Sequence, residues 1–328
     1  MLLIEPNDLE KILKETDIVK LAQDSVEKAF SEYGRGLAES PPWTQVNDSE
    51  HKGIVATGLG YLKESNLISS GVSTWWYNEK PPITSVRILI DPTNGKPFCI
   101  ILESGYILGW HRTGSAGAIG AKYLARKNSK VAGMIGAGSI ARAQMTHLIR
   151  VREIEKILVF DILKDSRDKF AKEMSQKLGV DVIAVDNPEK AVRNVDILVS
   201  ATPSTKPIVE ADWIDKGLHI NAIGADTPQK REYDGTVLKK VDKLYIDEPG
   251  KVFATGDFLV PMKEGIITKK NITGTIGELC AGLKPGRQSE SEITFFKSTG
   301  MEIQGMLLFY EIYKRAKEMG LGRDVGPL

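Results

Sequence analysis

An α/β fold built on a parallel sheet, with helices covering both faces, is predicted for this 328-residue chain by three observations. From Lys130 onward short apolar runs recur: "KVAGMIG", "KILVFD", "VDVIAV", "VDILVSAT" and "LHINAIG". Most are bounded by Gly, Asp or Thr, and amphipathic stretches such as "DSRDKFAKEMSQKLG" separate several of them. Short apolar strands alternating with such helices are what a sheet buried on both faces requires. The chain is also long for a single core, so one large or two moderate domains are expected.

The first hundred or so residues read differently. In "TDIVKLAQDSVEKAFSEYGRG", Ile18, Leu21, Ala22, Phe30 and Tyr33 recur at roughly helical spacing. Thr16 or Asp17 serves as a cap, and Gly34 or Gly36 as a stop. Strand signals follow. "ITSVRILID" alternates in part and is rich in branched residues, and "KPFCIILE" comes after the turn "DPTNG". A hairpin is therefore predicted over residues 83–91 and 97–103. At the other end, "TGMEIQGMLLFYEIYKRAKEMGLG" is a helix with Ile303, Met306, Leu307, Tyr310 and Ile312 on or near one face, and Gly320 is its stop. It follows the α/β run and is expected to return to the first domain. No internal repeat or low-complexity segment is present.

Composition narrows the function classes. Hydrophobic residues make up 41% and charged residues 27%, and 44 basic against 43 acidic residues leave a formal charge of +1. Such a balance gives no electrostatic reason for a nucleic-acid or anionic-membrane partner. Cys99 and Cys280, each beside apolar residues, read as buried free thiols suited to a reducing cytoplasm. His51, His111, His147 and His219 are scattered, so no metal site is predicted. The start, "MLLIEPNDLEKIL", turns charged too soon for a signal peptide, and no apolar run is long enough to span a bilayer.

The strongest motif is "VAGMIGAGSIARA", which places Gly136, Gly138 and Ala141 in a G-x-G-x-x-A pattern after a predicted strand and at a helix head. The first glycine permits a tight turn, the second lets a pyrophosphate approach the backbone, and the small third residue lets helix and sheet pack closely. Ser139 and Ile140, at the helix head, join them as cofactor-binding candidates. The next strand, "KILVFD", ends in Asp161, at the spacing of an acid that accepts hydrogen bonds from an adenosine ribose. A carboxylate there repels a 2′-phosphate, and only Lys164 follows closely as a counter-ion, so NAD is expected, with NADH preferred over NADPH.

A second helix start is read just upstream, in "HRTGSAGAIGAKYLA". Thr113 is its expected cap, Gly114 and Gly117 leave the backbone uncluttered, and Arg112 offers a planar fork for a carboxylate beside the helix dipole. From spacing alone Arg112 is equally an exposed loop arginine. Asp226, just beyond the strand "LHINAIG", lies where ligands bind in such sheets, but it is equally a turn former before Thr-Pro.

Five stretches in order, "RTGSAGAIGAKYLARK", "IGAGSIARAQ", "ATPSTKPIV", "HINAIGADTPQKRE" and "STGMEIQ", make the chain resemble the ornithine cyclodeaminase/μ-crystallin family, nearest its archaeal alanine dehydrogenase branch. The resemblance implies a Rossmann doubly wound parallel sheet inserted into an α+β substrate and dimerisation domain. It divides the chain into 1–114 with 301–328, and 115–300, and implies a homodimer. It also implies that Arg112 binds a substrate carboxylate, that Thr113 lies near the cofactor phosphates, and that Asp226 sits near the substrate amine and nicotinamide. Ala201, Thr202 and Pro203, with Ser298 and Gly300, would be further cofactor contacts.

One departure stands out. The family commonly carries a lysine in a "G-x-K-[YW]" strand and an arginine some residues earlier. Here "SSGVSTWWYNEKPP" puts Ser73 or Thr74 at the lysine, followed by Trp75 and Trp76, and "HKGIVATGLG" holds only Lys52. The expected pocket of Ser73, Thr74, Trp75, Arg112 and Asp226 has thus lost two of three cations. The tryptophans supply apolar or cation-binding area, or are core packing. The resemblance then implies an NAD(H)-dependent oxidoreductase at a C–N bond of an amino acid or imine, with Asp226 and Arg112 as catalytic residues and a small molecule as partner. Cyclodeamination, and a non-enzymatic μ-crystallin-like binder of NAD(P)H and a ligand, stay open beside it.

Overall fold

The computed structural model describes residues 1–76 and 78–326; Tyr77, Pro327 and Leu328 lie outside the described residues. Two compact units divide it, one of Met1–Arg112 with the segment from Met301, the other of Thr113–Gly300.

The first unit opens with β1 (Leu2–Ile4), α1 (Pro6–Lys14) and α2 (Ile18–Gly34). Asp17 caps α2 by accepting from the Lys20 amide at 3.2 Å. Six strands follow: β2 (Ala38–Glu39), β3 (Thr44–Asp48), β4 (Gly53–Leu62), β5 (Leu67–Trp76), β6 (Ile83–Asp91) and β7 (Lys96–Ser104). Consecutive strands from β4 to β7 pair antiparallel, so β6 and β7 are the predicted hairpin. Register sets Gly71 opposite Arg87, Ser73 opposite Ser85, and Ser85 opposite Glu103.

The unit boundary falls inside α3 (Ile107–Leu124), between Arg112 and Thr113. This corrects the helix start expected at Thr113. Thr113 is no cap, and Arg112 sits more than one turn inside the helix, away from the N-terminal dipole. The orphan amides at the true start are met from another element, because the Glu103 carboxylate at the end of β7 accepts from the Leu108 amide. Gly114 and Gly117 are also corrected. A Cβ on Gly114 would come within 2.7 Å of the Ala143 carbonyl, and one on Gly117 within 1.9 Å of the Gln144 amide oxygen. Both glycines let α3 pack closely on the following helix instead of clearing space for a ligand.

The second unit is β8 (Val131–Ile135), α4 (Ser139–Leu148), β9 (Lys156–Phe160), α5 (Lys164–Leu178), β10 (Asp181–Ala184), α6 (Pro188–Val192) and β11 (Ile197–Ser200). It continues through β12 (His219–Ala222), α7 (Gly235–Lys240), β13 (Lys243–Ile246), α8 (Pro249–Val252) and α9 (Gly256–Lys263). β14 (Ile272–Thr275), α10 (Ile276–Cys280) and β15 (Thr294–Lys297) complete it. The sheet order is β10-β9-β8-β11-β12-β15-β13-β14, parallel throughout. This is a Rossmann-type doubly wound sheet whose order reverses between β8 and β11, the crevice where such sheets bind ligands. Alternate residues feed opposite cores: Ile157 and Val159 pack with Met134, Met145 and Phe170, while Leu158 packs with Leu198, Ile220 and Phe295.

The chain then returns to the first unit as α11 (Ile303–Glu318) and β16 (Arg323–Asp324). α11 packs against α2 and over β4 and β5 through Ile303, Met306, Leu307 and Ile312. Among the described residues no helix is long and apolar enough to cross a membrane, and no cluster of ligating side chains could hold a metal ion.

Candidate functional site

In the second unit the glycine turn follows β8. Gly136 has φ 102°, and a Cβ on it would lie 2.7 Å from the Ala201 carbonyl and 3.1 Å from Thr202 Cγ2. The turns after β8 and β11 therefore touch, and only glycine fits where they do. Gly138 precedes Ser139 and Ile140 at the head of α4, and a Cβ on it would meet nothing within 4 Å. That open backbone at a helix N-terminus is the cradle a pyrophosphate needs. Ala141 is fully buried, as close helix–sheet packing demands.

Asp161 immediately follows β9. Its Oδ2 accepts from the Ala137 amide and its Oδ1 from the Leu163 amide, each at 2.9 Å. Both bonds aim the carboxylate at the glycine turn, and each oxygen keeps a further lone pair for a ribose hydroxyl. These residues fit a dinucleotide. By contrast, a groove of about 490 Å³ lined by Val131, Lys156 and Asn187 lies at the amino ends of β8 and β9, the wrong end of the sheet for a ligand.

A buried acid that sequence reasoning missed fixes the neighbouring loops. Glu232 accepts from the Ser200 hydroxyl (2.9 Å), the Thr202 amide (2.8 Å) and hydroxyl (2.9 Å), and the amides of Gly224 (2.9 Å) and Ala225 (3.2 Å). It thereby ties the Ala201–Thr202–Pro203 turn to the loop that carries Asp226. Burial raises the Glu232 carboxyl above the ordinary glutamate range, and the neighbouring Asp257 adds to this, while Lys297 opposes it. Asp257 pairs with Lys297 at 2.8 Å, both fully buried, and accepts from the Glu232 amide at 2.7 Å. Asp226 itself is half-buried and pairs with Lys230 at 2.7 Å. Beyond β15, the Ser298 hydroxyl (2.9 Å) and the Gly300 amide (2.9 Å) both donate to Asp247.

The first unit holds a separate polar cluster. Arg112, 8% exposed, donates to the Gln304 side-chain oxygen and to the Tyr106 hydroxyl, each at 2.8 Å. Burial opposes its charge, but Tyr106 and the buried acids Glu302 and Glu103 raise the guanidinium above its ordinary range. Tyr106 adopts the left-handed conformation (φ 59°), and Trp75 stands 6.1 Å from its ring.

Strand alternation decides between Ser73 and Thr74. Ser73 is fully buried and accepts from Arg87 at 2.9 Å, whereas Thr74 bonds Thr84 on the exposed face. Trp75 shares the face of Ser73, and Trp76 packs over Gly53. Arg87, from the neighbouring strand, is 1% exposed and brings a guanidinium to Ser73. It also lies 3.4 Å from Glu302, which accepts from Ser69 at 3.2 Å. Burial raises the Glu302 carboxyl above its usual range, against the pull of Arg87 and Arg112. Arg87, Glu302, Gln304 and Tyr106 were not legible as site residues. The available signal was a polar face, Ser85 and Arg87, within an otherwise apolar strand.

The model of the ornithine cyclodeaminase/mu-crystallin family matches residues 7–320. The alanine dehydrogenase of Archaeoglobus fulgidus is 35% identical over 314 residues, 93% of this chain and 92% of that one. The Δ1-pyrroline-2-carboxylate reductase of Thermococcus litoralis, solved with NADH and L-proline, is 37% identical. It superposes with a TM-score of 0.91 over 99% of this chain and 100% of its own. An archaeal alanine dehydrogenase, solved as a dimer with bound NAD, gives a TM-score of 0.90 at 34% identity over 99% of each chain.

Proposed function

The chain belongs to the ornithine cyclodeaminase/mu-crystallin family, and from that premise we propose that it is an NAD(H)-dependent oxidoreductase acting at the C–N bond of an amino acid or imine. The observation that carries this reading is the Gly136–Gly138 turn at the reversal of the sheet, with Asp161 aimed at it from β9. When bound, the nicotinamide supplies the hydride donor or acceptor.

The chain's own residues do the rest. The amides at the head of α4 hold the pyrophosphate, and Asp161 accepts from the ribose hydroxyls and repels a 2′-phosphate, which makes NADH the preferred cofactor. The turn 201–203, fixed by Glu232, and Ser298 to Gly300, fixed by Asp247, shape the wall along the cofactor, which Thr113 joins near the phosphates. Arg112 binds the substrate carboxylate. Asp226, paired with Lys230, takes or returns the proton on the substrate nitrogen. Ser73 and Trp75 line the substrate side of the first unit.

Kinship with the archaeal alanine dehydrogenase dimer supports a homodimer here. The outer face of the first unit's sheet fits one, since Leu59, Val72 and Val86 stand exposed on the adjacent strands β4, β5 and β6. Sedimentation at the mass of a single chain would remove that part.

The activity is tested by following NADH in the presence of pyruvate plus ammonia, and of Δ1-pyrroline-2-carboxylate. Sustained NADH oxidation with one of them supports an oxidoreductase. Ammonia release from ornithine with no net change in NADH would instead establish cyclodeamination, and inertness toward all three would favour a binding protein.

A further inference from the structure

The loop that carries Asp226 closes on itself through one side chain. Just beyond β12, the Gly224 and Ala225 amides donate to Glu232 Oε2 at 2.9 Å and 3.2 Å, and Asp226 is the next residue. The same carboxylate reaches the exit of the adjacent strand β11. Its Oε1 accepts from the Thr202 amide and hydroxyl, and its Oε2 from the Ser200 hydroxyl. The two loops also touch, because a Cβ on Gly224 would run into the Thr202 amide nitrogen and Glu232 Oε1. One buried acid is therefore shared by the cofactor turn and the Asp226 loop.

Five donors converge on that carboxylate, and an ionised carboxylate only accepts. Glutamine has the same shape but carries an NH2 in place of one oxygen, so at least two of the five would face a donor. The Glu232 backbone is anchored as well. Asp257, at the head of α9, accepts from the Glu232 amide at 2.7 Å and the Tyr233 amide at 3.1 Å. Its other oxygen takes Lys297 Nζ at 2.8 Å, and Lys297 leads directly into Ser298. A buried polar chain thus runs beneath the loops that leave β11, β12 and β15, which are neighbours in the sheet. Apolar residues of similar volume would pack there at least as stably, but they would not fix backbone amides.

We propose that Glu232 is a positioning residue for the reaction: its carboxylate sets the cofactor turn 201–203 and the Asp226 loop together, and it acts on turnover through Asp226. The inference rests on the oxidoreductase reading for the part Asp226 plays, and on the five hydrogen bonds for the placement. A proton-transfer group must come within about 2.6–3.2 Å of its target, and a misplacement of about 1 Å can cost about 100-fold. Gly224 and Ala225 are the two residues before Asp226, so losing their acceptor moves it directly. Asp257 and Lys297 act one step further back, by holding the backbone of Glu232 in place.

The test is a double-mutant cycle between Glu232→Gln and Asp226→Asn in the full-length protein, using whichever of pyruvate plus ammonia or Δ1-pyrroline-2-carboxylate the wild type reduces. Glu232→Gln is expected to lower kcat roughly 10- to 100-fold and NADH affinity roughly three- to tenfold. In the Asp226→Asn background the same change should lower kcat less than about threefold, because the acid it misplaces is already gone. An equal loss of kcat in both backgrounds would make Glu232 a stabilising residue only and overturn the proposal, as would wild-type turnover in Asp226→Asn. Amide hydrogen exchange gives a readout that needs no turnover. Segments 200–204 and 223–227 should both exchange about tenfold or more faster in Glu232→Gln, while β8 keeps its wild-type protection. Unchanged exchange in either segment also overturns the proposal. Glu232→Asp keeps the charge but withdraws the carboxylate by one methylene. It should show the same losses, and it takes the place of Glu232→Gln in both measurements if that variant does not fold. Faster exchange in both segments, in a protein that oxidises NADH with neither substrate, would sink the oxidoreductase reading and leave the placement by Glu232 standing.

Discussion

Gly71 stands directly opposite Arg87 in the β5–β6 pair, and a Cβ there would lie 1.9 Å from Arg87 Nη1 and 2.8 Å from its Cδ. The arginine can cross β5 only because that position has no side chain. Gly71→Ala is therefore expected to push the guanidinium off Ser73 and Glu302, at about 1–3 kcal/mol of stability, the usual range for overpacking a core. Thermal unfolding and NADH titration check it together. The melting temperature should fall while cofactor affinity holds. A melting temperature within about 1 °C of wild type would mean that Arg87 has room to move elsewhere.

Asp161 makes cofactor choice a measurable consequence of one carboxylate. NADH is expected to bind about tenfold or more tightly than NADPH, because a 2′-phosphate would meet a fixed negative charge. Arg142 and Arg167 lie close by. The first is paired with Glu173 at 2.8 Å, and the second donates to the Asp161 backbone carbonyl at 2.8 Å. Asp161→Ser should lower NADH affinity and raise that of NADPH. Fluorescence titrations that find equal affinities in the wild type would show that these arginines outweigh the acid.

The roles proposed for Asp226 and Arg112 separate in steady-state kinetics. Asp226→Asn keeps the shape but cannot take a proton, so kcat should fall about 100-fold or more with NADH binding intact. Arg112→Ala should act mainly on KM, with roughly 2–4 kcal/mol at stake when a charge-assisted carboxylate contact is lost. Wild-type turnover and an unchanged pH profile in Asp226→Asn would deny the acid any part in proton transfer.

How much of this was legible depended on how local the determinants were. The runs that became β8 to β12 carry their own signal, because a strand buried on both faces must be apolar along its length. β13, "KLYI", and β15, "TFFK", are four residues each, and β15 slots between β12 and β13 out of chain order. No local pattern encodes that non-sequential pairing. The start of α3 was misplaced because its amide partner is Glu103, a strand-end residue of β7, while the Thr-Gly-Ser run inside the helix looks like a cap by composition. Arg87 was hidden by its strand: Val86 and Ile88 suggested the core face, yet Ser85, Arg87 and Leu89 are the buried residues. Glu232 sits in "QKREYD", which reads as a solvated charged run until folding brings five donors to its carboxylate.

His219, at the start of β12, gives a pH test that requires no substrate. It is fully buried, with Nδ1 3.0 Å from the Thr294 hydroxyl and Nε2 3.0 Å from the Asn221 side-chain oxygen. Burial, together with the charge of Arg287, holds its imidazole down to about 3, from an ordinary value of 6.5. The unfolded chain therefore takes up a proton below about pH 6.5 that the folded protein refuses until about pH 3. Stability from this group is complete above the unfolded value and is lost as pH falls through the window, at up to about 1.4 kcal/mol per pH unit. His219→Gln removes the titration. Any hydrogen bonds it loses cost the same at every pH, so the signature is a slope and not an offset. Urea unfolding across that window should show the wild-type curve falling more steeply than the variant's. Parallel curves would mean that His219 is already protonated in the folded protein, with Thr294 and Asn221 both accepting from it.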